Sequence, residues 1–246
     1  MKIAGSVALV TGANRGLGRA YVQALLAAGA SKVYAAARDP RSMTVENAIA
    51  VALDITDPAA VAAAAQTCAD VTLLINNAGI VRSSPFVAAP TMDAARAEME
   101  TNYFGTLAMC RAFAPVLGGN DGGALVNMLS VVSWFTYPFS ASQCASKAAQ
   151  WSLTNGIRIE LRAQGTLVVG VHAGFIDTDM AAGLDVPKTS PHDIARRVLE
   201  GIEVGREEIL ADQRSADVKA VLARDPASVY ADLQRLWDAA QTTRRP

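Results

Sequence analysis

The octet Thr11–Gly18, TGANRGLG, follows the apolar run SVALV at Ser6–Val10 and opens a stretch with helical spacing. A strand that ends in clustered glycines and passes directly into a helix is the phosphate-cradling turn of a βαβ unit. Gly12 permits the tight turn, Gly16 lets backbone approach a pyrophosphate, and Gly18 lets helix and strand pack closely. The helix N-terminus beyond them offers oriented N–H groups to an anion. An ordinary βα turn could use the same glycines for packing alone. The place of the octet, at the first strand-to-helix junction, favours a dinucleotide site drawn from Gly12, Asn14, Arg15, Gly16 and Leu17.

The rhythm set by the octet continues along the chain. Short apolar runs (Lys32–Ala37, Val51–Asp54, Val71–Gly79, Ala124–Leu129, Thr166–Gly174) alternate with Ala-rich helical stretches at Arg19–Gly29, Pro58–Cys68, Ala94–Leu117 and about 141–164. Strands covered by helices on both faces read as continuous apolar runs, so this pattern predicts an α/β fold with a Rossmann-type, doubly wound parallel sheet. One domain over 1–246 is expected, closed by a strand at Glu208–Ala211 and an amphipathic helix at about 227–240. Gly183, Pro187 and Pro191 mark Ala181–Pro191 as the best candidate for a mobile loop, the latter part of a substrate loop expected at about 175–191.

Composition narrows the function. A net charge of −1 with scattered Lys and Arg gives no basic stripe for nucleic acid. No run approaches the ~20 apolar residues that cross a bilayer. The start MKIAGSVALVTG runs straight into a strand without a separate signal segment. Three cysteines, Cys68, Cys110 and Cys144, fit a reducing cytoplasm better than a disulfide framework. Only two histidines, His172 and His192, are present, and no metal site is expected.

Five further motifs stand in a fixed order: Asp54 in VALDITD, NNAG at Asn76–Gly79, Asn102 in TNYFG, Ser130, and SASQCASK at Ser140–Lys147. With the Gly-x-x-x-Gly-x-Gly spacing of the octet, they make the chain resemble the short-chain dehydrogenase/reductases from Val7 to about Ala211. In that family a tyrosine and a lysine four residues apart follow the serine; here Ser130 precedes Gln143 by thirteen residues and Lys147 follows, so Gln143 stands where the family keeps its tyrosine. The resemblance implies that Ser130 orients a substrate carbonyl, Lys147 binds the nicotinamide ribose, and Asn102 holds a water of the proton relay. The tyrosine is the family's general acid or base, and a Gln143 amide can donate a hydrogen bond but not a proton near neutral pH. The resemblance also assigns Asp54 and Ile55 to the adenine, Asn77, Ala78 and Gly79 to the strand-four motif, and Ile176 and Thr178 to the carboxamide side of the cofactor.

Charge points to NADP(H). Where an NAD enzyme presents an acid to the ribose, this chain has Ala37 followed by Arg38, and Arg38 with Arg15 can pair with a 2′-phosphate. Trp134, Tyr137, Phe175 and Met180, with Phe139, would line an apolar substrate pocket. His172 reads as a satisfied strand-end histidine, with a role as acid near the site as the minor alternative. The implied partner is a small carbonyl, alcohol or imine, and the resemblance implies a homodimer or homotetramer through the helices flanking the Ser130 strand. Three readings of Gln143 stay open: a reductase whose turnover is abolished or redirected, an NADP(H)-binding sensor or scaffold, and an iminium reductase, since an iminium takes hydride without a simultaneous proton.

Overall fold

A computed structural model describes residues 1–242. Seven parallel strands, β1 (Val7–Thr11), β2 (Lys32–Ala37), β3 (Ile49–Ala52), β4 (Leu73–Asn76), β5 (Ala124–Met128), β6 (Leu167–His172) and β7 (Glu208–Leu210), form one sheet in the order β3-β2-β1-β4-β5-β6-β7. The helices are α1 (Gly16–Ala27), α2 (Pro58–Thr67), α3 (Asp93–Glu98), α4 (Thr106–Gly119), α5 (Ala141–Glu160), α6 (Pro191–Glu203), α7 (Gln213–Arg224) and α8 (Pro226–Thr242).

The central strands are buried on both faces, and successive side chains serve different layers. Ala8 and Val10 of β1 join a core with Tyr21 and Leu25 of α1 and Ile194, Val198 and Ile202 of α6. Leu9, between them, joins a second core with Val61 of α2, Met109, Phe113 and Leu117 of α4, and Ile157 of α5. The strand order reverses between β1 and β4, which opens a crevice beyond their carboxyl ends, where ligands of such sheets bind.

Three features depart from the sequence expectations. The helix expected over Ala94–Leu117 is broken into α3, a π-helical segment at Met99–Gly105, and α4. β3 runs over Ile49–Ala52 rather than Val51–Asp54, because Asp54 is drawn into a turn by Thr56. The helices α6 and α7 were not anticipated, although each carries its own start signal. Ser190 accepts from the His192 N–H ahead of Pro191, and Asp212 and Ser215 cap α7 reciprocally. The segment 175–191 lacks long regular structure but is tied at its base, where Asp177 N–H donates to Thr189 O and Thr189 N–H to Phe175 O.

Candidate active site

The Gly-rich turn is shaped for backbone contact. Gly12 and Gly16 have φ of +63° and +51°, in the left-handed region that side chains resist. A Cβ on Gly18 would lie 2.1 Å from Gly12 O, so only glycine lets α1 seat on the turn. Arg15, at the N-cap of α1, gives no side-chain cap, and the first turn carries no acid. Its leading N–H groups are therefore ready for an anion. This cradle fits a dinucleotide pyrophosphate.

Successive close approaches connect the turn to the remaining motifs. A Cβ on Gly16 would meet Thr178 Cγ2 at 3.1 Å, and one on Gly12 would meet Ala78 Cα at 3.0 Å. Asn77 Nδ2 donates to Thr11 O at 2.9 Å, while the Asn77 and Ala78 N–H groups both donate to Thr11 Oγ1 at 3.0 Å, locking the ends of β4 and β1 together. Gly79 in turn lies so close to the next layer that an added Cβ would sit 3.1 Å from Asn102 Oδ1 and 3.9 Å from Lys147 Nζ.

Asn102 lies in the π-helical segment, a geometry that recurs at functional sites, and is fully buried. Its Oδ1 accepts from Ile80 N–H at 2.9 Å; its Nδ2 donates to Ile80 O at 3.0 Å and to Ser146 Oγ at 2.9 Å. One turn earlier, buried Glu98 accepts from Arg82 N–H at 2.6 Å. Together the two side chains clamp the loop after β4. The sequence reading missed Glu98; its signal was a carboxylate four residues before Asn102 on a helix face otherwise facing the core.

Ser130 follows β5, and the reciprocal cap it forms with Ser133 starts a short 3₁₀ turn against which α5 packs. Gln143 and Lys147 are one turn apart at the start of α5, on the same side. Gln143 Oε1 accepts from Ser140 Oγ at 2.9 Å, and its Nε2 has no hydrogen bond among the described residues. Lys147 Nζ donates to Met128 O at 2.7 Å and to Gln150 Oε1 at 2.8 Å. Loss of water around this half-buried ammonium lowers its pKa to about 8.

At the cofactor end, Arg38 is exposed beyond β2. The neighbouring Asp39 carboxylate binds Arg41, at 2.9 and 3.2 Å. Asp54 accepts from Thr56 N–H and Oγ1, and these bonds, with the charge of Arg38, hold its pKa below the usual range. Ile55 is buried against Gly105, and Ile176 packs at the edge of the core. Arg15 reaches Asp179 at 3.5 Å, on the turn after Thr178, an exposed pair that bridges the glycine turn and the 175–191 segment.

The expected pocket residues are distributed along the rim. Trp134 stacks on His172, with ring centroids 3.9 Å apart; Tyr137 rests against Phe139, and Phe139 against Trp237 of α8. Phe175 lies under Arg214, while Met180 is exposed. Asp212, Arg214 and Trp237 escaped the sequence reading because they reach the site from α7, its cap and α8 only after folding. Among the described residues no cluster of ligating side chains could hold a metal, and no helix is long and apolar enough to cross a membrane.

His172 is fully buried beneath Ser130. The Ser130 carbonyl can only accept, so the contact at 3.1 Å places the imidazole proton on Nδ1 and leaves Nε2 without a partner, 3.6 Å from Glu208 Oε1. Burial lowers the His172 pKa to about 4, outweighing the pull of Glu208. Because the folded value is below that of the unfolded chain, this residue's contribution to stability is complete above pH ~6.5 and is lost as pH falls towards 4. Urea unfolding at pH 7 and pH 4.5 should show a loss of about 2 to 3 kcal/mol that His172→Gln largely removes; an unchanged pH dependence in the variant would refute the assignment.

The family described as short chain dehydrogenase matches residues 6–188, and the chain belongs to it. It is similar to a short chain dehydrogenase from Burkholderia cenocepacia solved in complex with NADP, with 43% identity, a TM-score of 0.91, and coverage of 95% of this chain and 99% of that one. An NADPH-bound carbonyl reductase from chicken fatty liver is 28% identical with a TM-score of 0.75, over 83% of this chain and 93% of that one. The 3-oxoacyl-[acyl-carrier-protein] reductase of Vibrio harveyi is 28% identical over 94% of each chain.

Proposed function

We propose that the chain is an NADP(H)-dependent oxidoreductase built to move hydride between the nicotinamide and the carbonyl or alcohol carbon of an apolar small molecule. In this form the tyrosine acid's position is held by Gln143, so that turnover is impaired or redirected. The observation that carries the reading is one series of close approaches that brings the motifs together: Thr178 closes on Gly16, Ala78 on Gly12, and Asn102 and Lys147 on Gly79. The cofactor, when bound there, supplies the hydride. Lys147 has an N–H beyond its two protein bonds for the nicotinamide ribose, and Ser130 has a hydroxyl near the expected carbonyl. Gln143, its Oε1 tied to Ser140, offers Nε2 as a donor to the substrate oxygen.

Arg38 supports NADP(H) over NAD(H), since Asp39 is engaged by Arg41 and Ala37 brings no acid. Arg15, exposed and now paired with Asp179 on the following turn, can join it. Charge-assisted bonds to a 2′-phosphate, discounted for exposure, should favour NADPH by about tenfold or more. Fluorescence titration of both cofactors checks this, and equal or tighter NADH binding would reject it.

A second reading, imine reduction, is favoured by the environment of Lys147. An iminium needs no acid at position 143, and an ammonium titrating at about 8 repels a cationic substrate less as the pH rises through that value. For assembly, α4 and α5 are the proposed contact helices of a homodimer or homotetramer. Leu107, Ala108 and Ala112 of α4 line an apolar groove with Phe104, while Trp151 and Ile159 of α5 are exposed.

A further inference from the structure

Behind Lys147 a buried chain of side chains runs in one donor-to-acceptor direction. Lys147 Nζ donates to Gln150 Oε1 at 2.8 Å, Gln150 Nε2 to Thr106 Oγ1 at 3.0 Å, and Thr106 Oγ1 to the Asn102 carbonyl at 2.8 Å. Gln150 and Thr106 are almost completely buried. The sense of the chain is forced: an ammonium only donates, so the amide oxygen must face it, and the amide nitrogen is left for the hydroxyl. Thr154 Oγ1 donates to the Gln150 carbonyl at 2.7 Å and accepts from Asn127 Nδ2 at 3.0 Å, which anchors this turn of α5 to β5.

We propose that Gln150 is a positioning residue for Lys147, which through Thr106 ties the ammonium to the main chain of Asn102 and fixes the direction of its remaining N–H. The proposal rests on the reading that Lys147 serves the cofactor. An apolar side chain at position 150 would fill the same space without holding the ammonium, and a buried amide is costly unless its hydrogen bonds are used. All of those made here lead from the lysine to the π-helical segment, so that Asn102 and Lys147, on different helices, move as one unit.

The charged and titratable groups on elements packed against α5 are Asp93, Arg96 and Glu98 on α3, Glu100 and Tyr103 in the π-helical segment, His172 on β6, and Arg162 in the 3₁₀ turn after α5. Cys144, Arg158 and Glu160 lie on α5 itself, and burial pushes the Cys144 thiol above its usual value. His172, whose charged form Lys147 disfavours, is neutral in the range where the lysine titrates.

The test is NMR titration of the Lys147 side chain in the cofactor-free protein between pH 6.5 and 10, with Lys147→Met providing the assignment. Gln150→Leu removes an acceptor from the charged form and should lower the midpoint by roughly 0.5 to 1 pH unit; Gln150→Glu should raise it. Both midpoints at the native value, with only the urea stability changed, would mean that Gln150 merely fills space and would overturn the proposal. Should Gln150→Leu fail to fold, the near-isosteric Gln150→Glu decides alone. NADPH titration of the native chain judges the cofactor reading separately, since the lysine midpoints need no cofactor.

Discussion

Gln143→Tyr is expected to raise the turnover of a ketone with NADPH by ~10² to 10⁴, the usual worth of a positioned acid in a proton-transfer step. The reason is local. The backbone of α5 already places position 143 one turn before Lys147, whose ammonium is held by the Met128 carbonyl. The glutamine amide is limited to hydrogen bonding, whereas a phenol beside a nearby ammonium would have its pKa lowered towards the working range. NADPH affinity should hardly change, so the gain should appear in kcat rather than in binding. A matched cyclic imine provides the control: its rate should rise far less, and the ratio of imine to ketone turnover should be higher with Gln143 than with tyrosine across pH 6 to 9. An equal ratio would leave simple loss of function as the account. A revertant that binds NADPH yet reduces no carbonyl would favour a sensor or scaffold.

Gly18→Ala is expected to abolish measurable cofactor binding and to cost about 2 to 4 kcal/mol of stability, a large effect for one methyl group. The added carbon would sit 2.1 Å from Gly12 O and 2.7 Å from Asn77 Nδ2. Neither can yield cheaply. Gly12 O belongs to the turn that must cradle the phosphates, and Asn77 joins the ends of β4 and β1. The helix α1 must therefore move away, carrying its N–H groups out of reach of an anion and loosening Tyr21 and Leu25 from the core. Urea unfolding with NADPH titration reads both effects. Gly119→Ala, where a Cβ meets nothing within 4 Å, is the matched control and should be nearly silent. A Gly18→Ala protein with native stability and affinity would show that the turn is not packed as described.

Much of this architecture was legible from local pattern. A doubly buried parallel strand must be apolar along its length, and a phosphate turn must carry glycine where φ is positive, so Val7–Thr11 with Gly12, Gly16 and Gly18 announce themselves. Spacing likewise put Gln143 and Lys147 one helical turn apart, wherever α5 lies. What a linear pattern cannot carry is the partner of a polar side chain across the fold. Glu98 on the loop after β4, His172 beneath Ser130, Asp212 on Gly174 N–H and Gln150 between Lys147 and Thr106 all depend on which elements become neighbours. The π-helical break at Met99–Gly105 is of the same kind, since its helical periodicity reads as ordinary α-helix until packing beside α5 is known. The sequence by itself determined the class of fold and the glycine turn; the tertiary structure alone decided how the lysine is held, because hydrogen bonds between distant residues exist only once the chain has brought their donors and acceptors together.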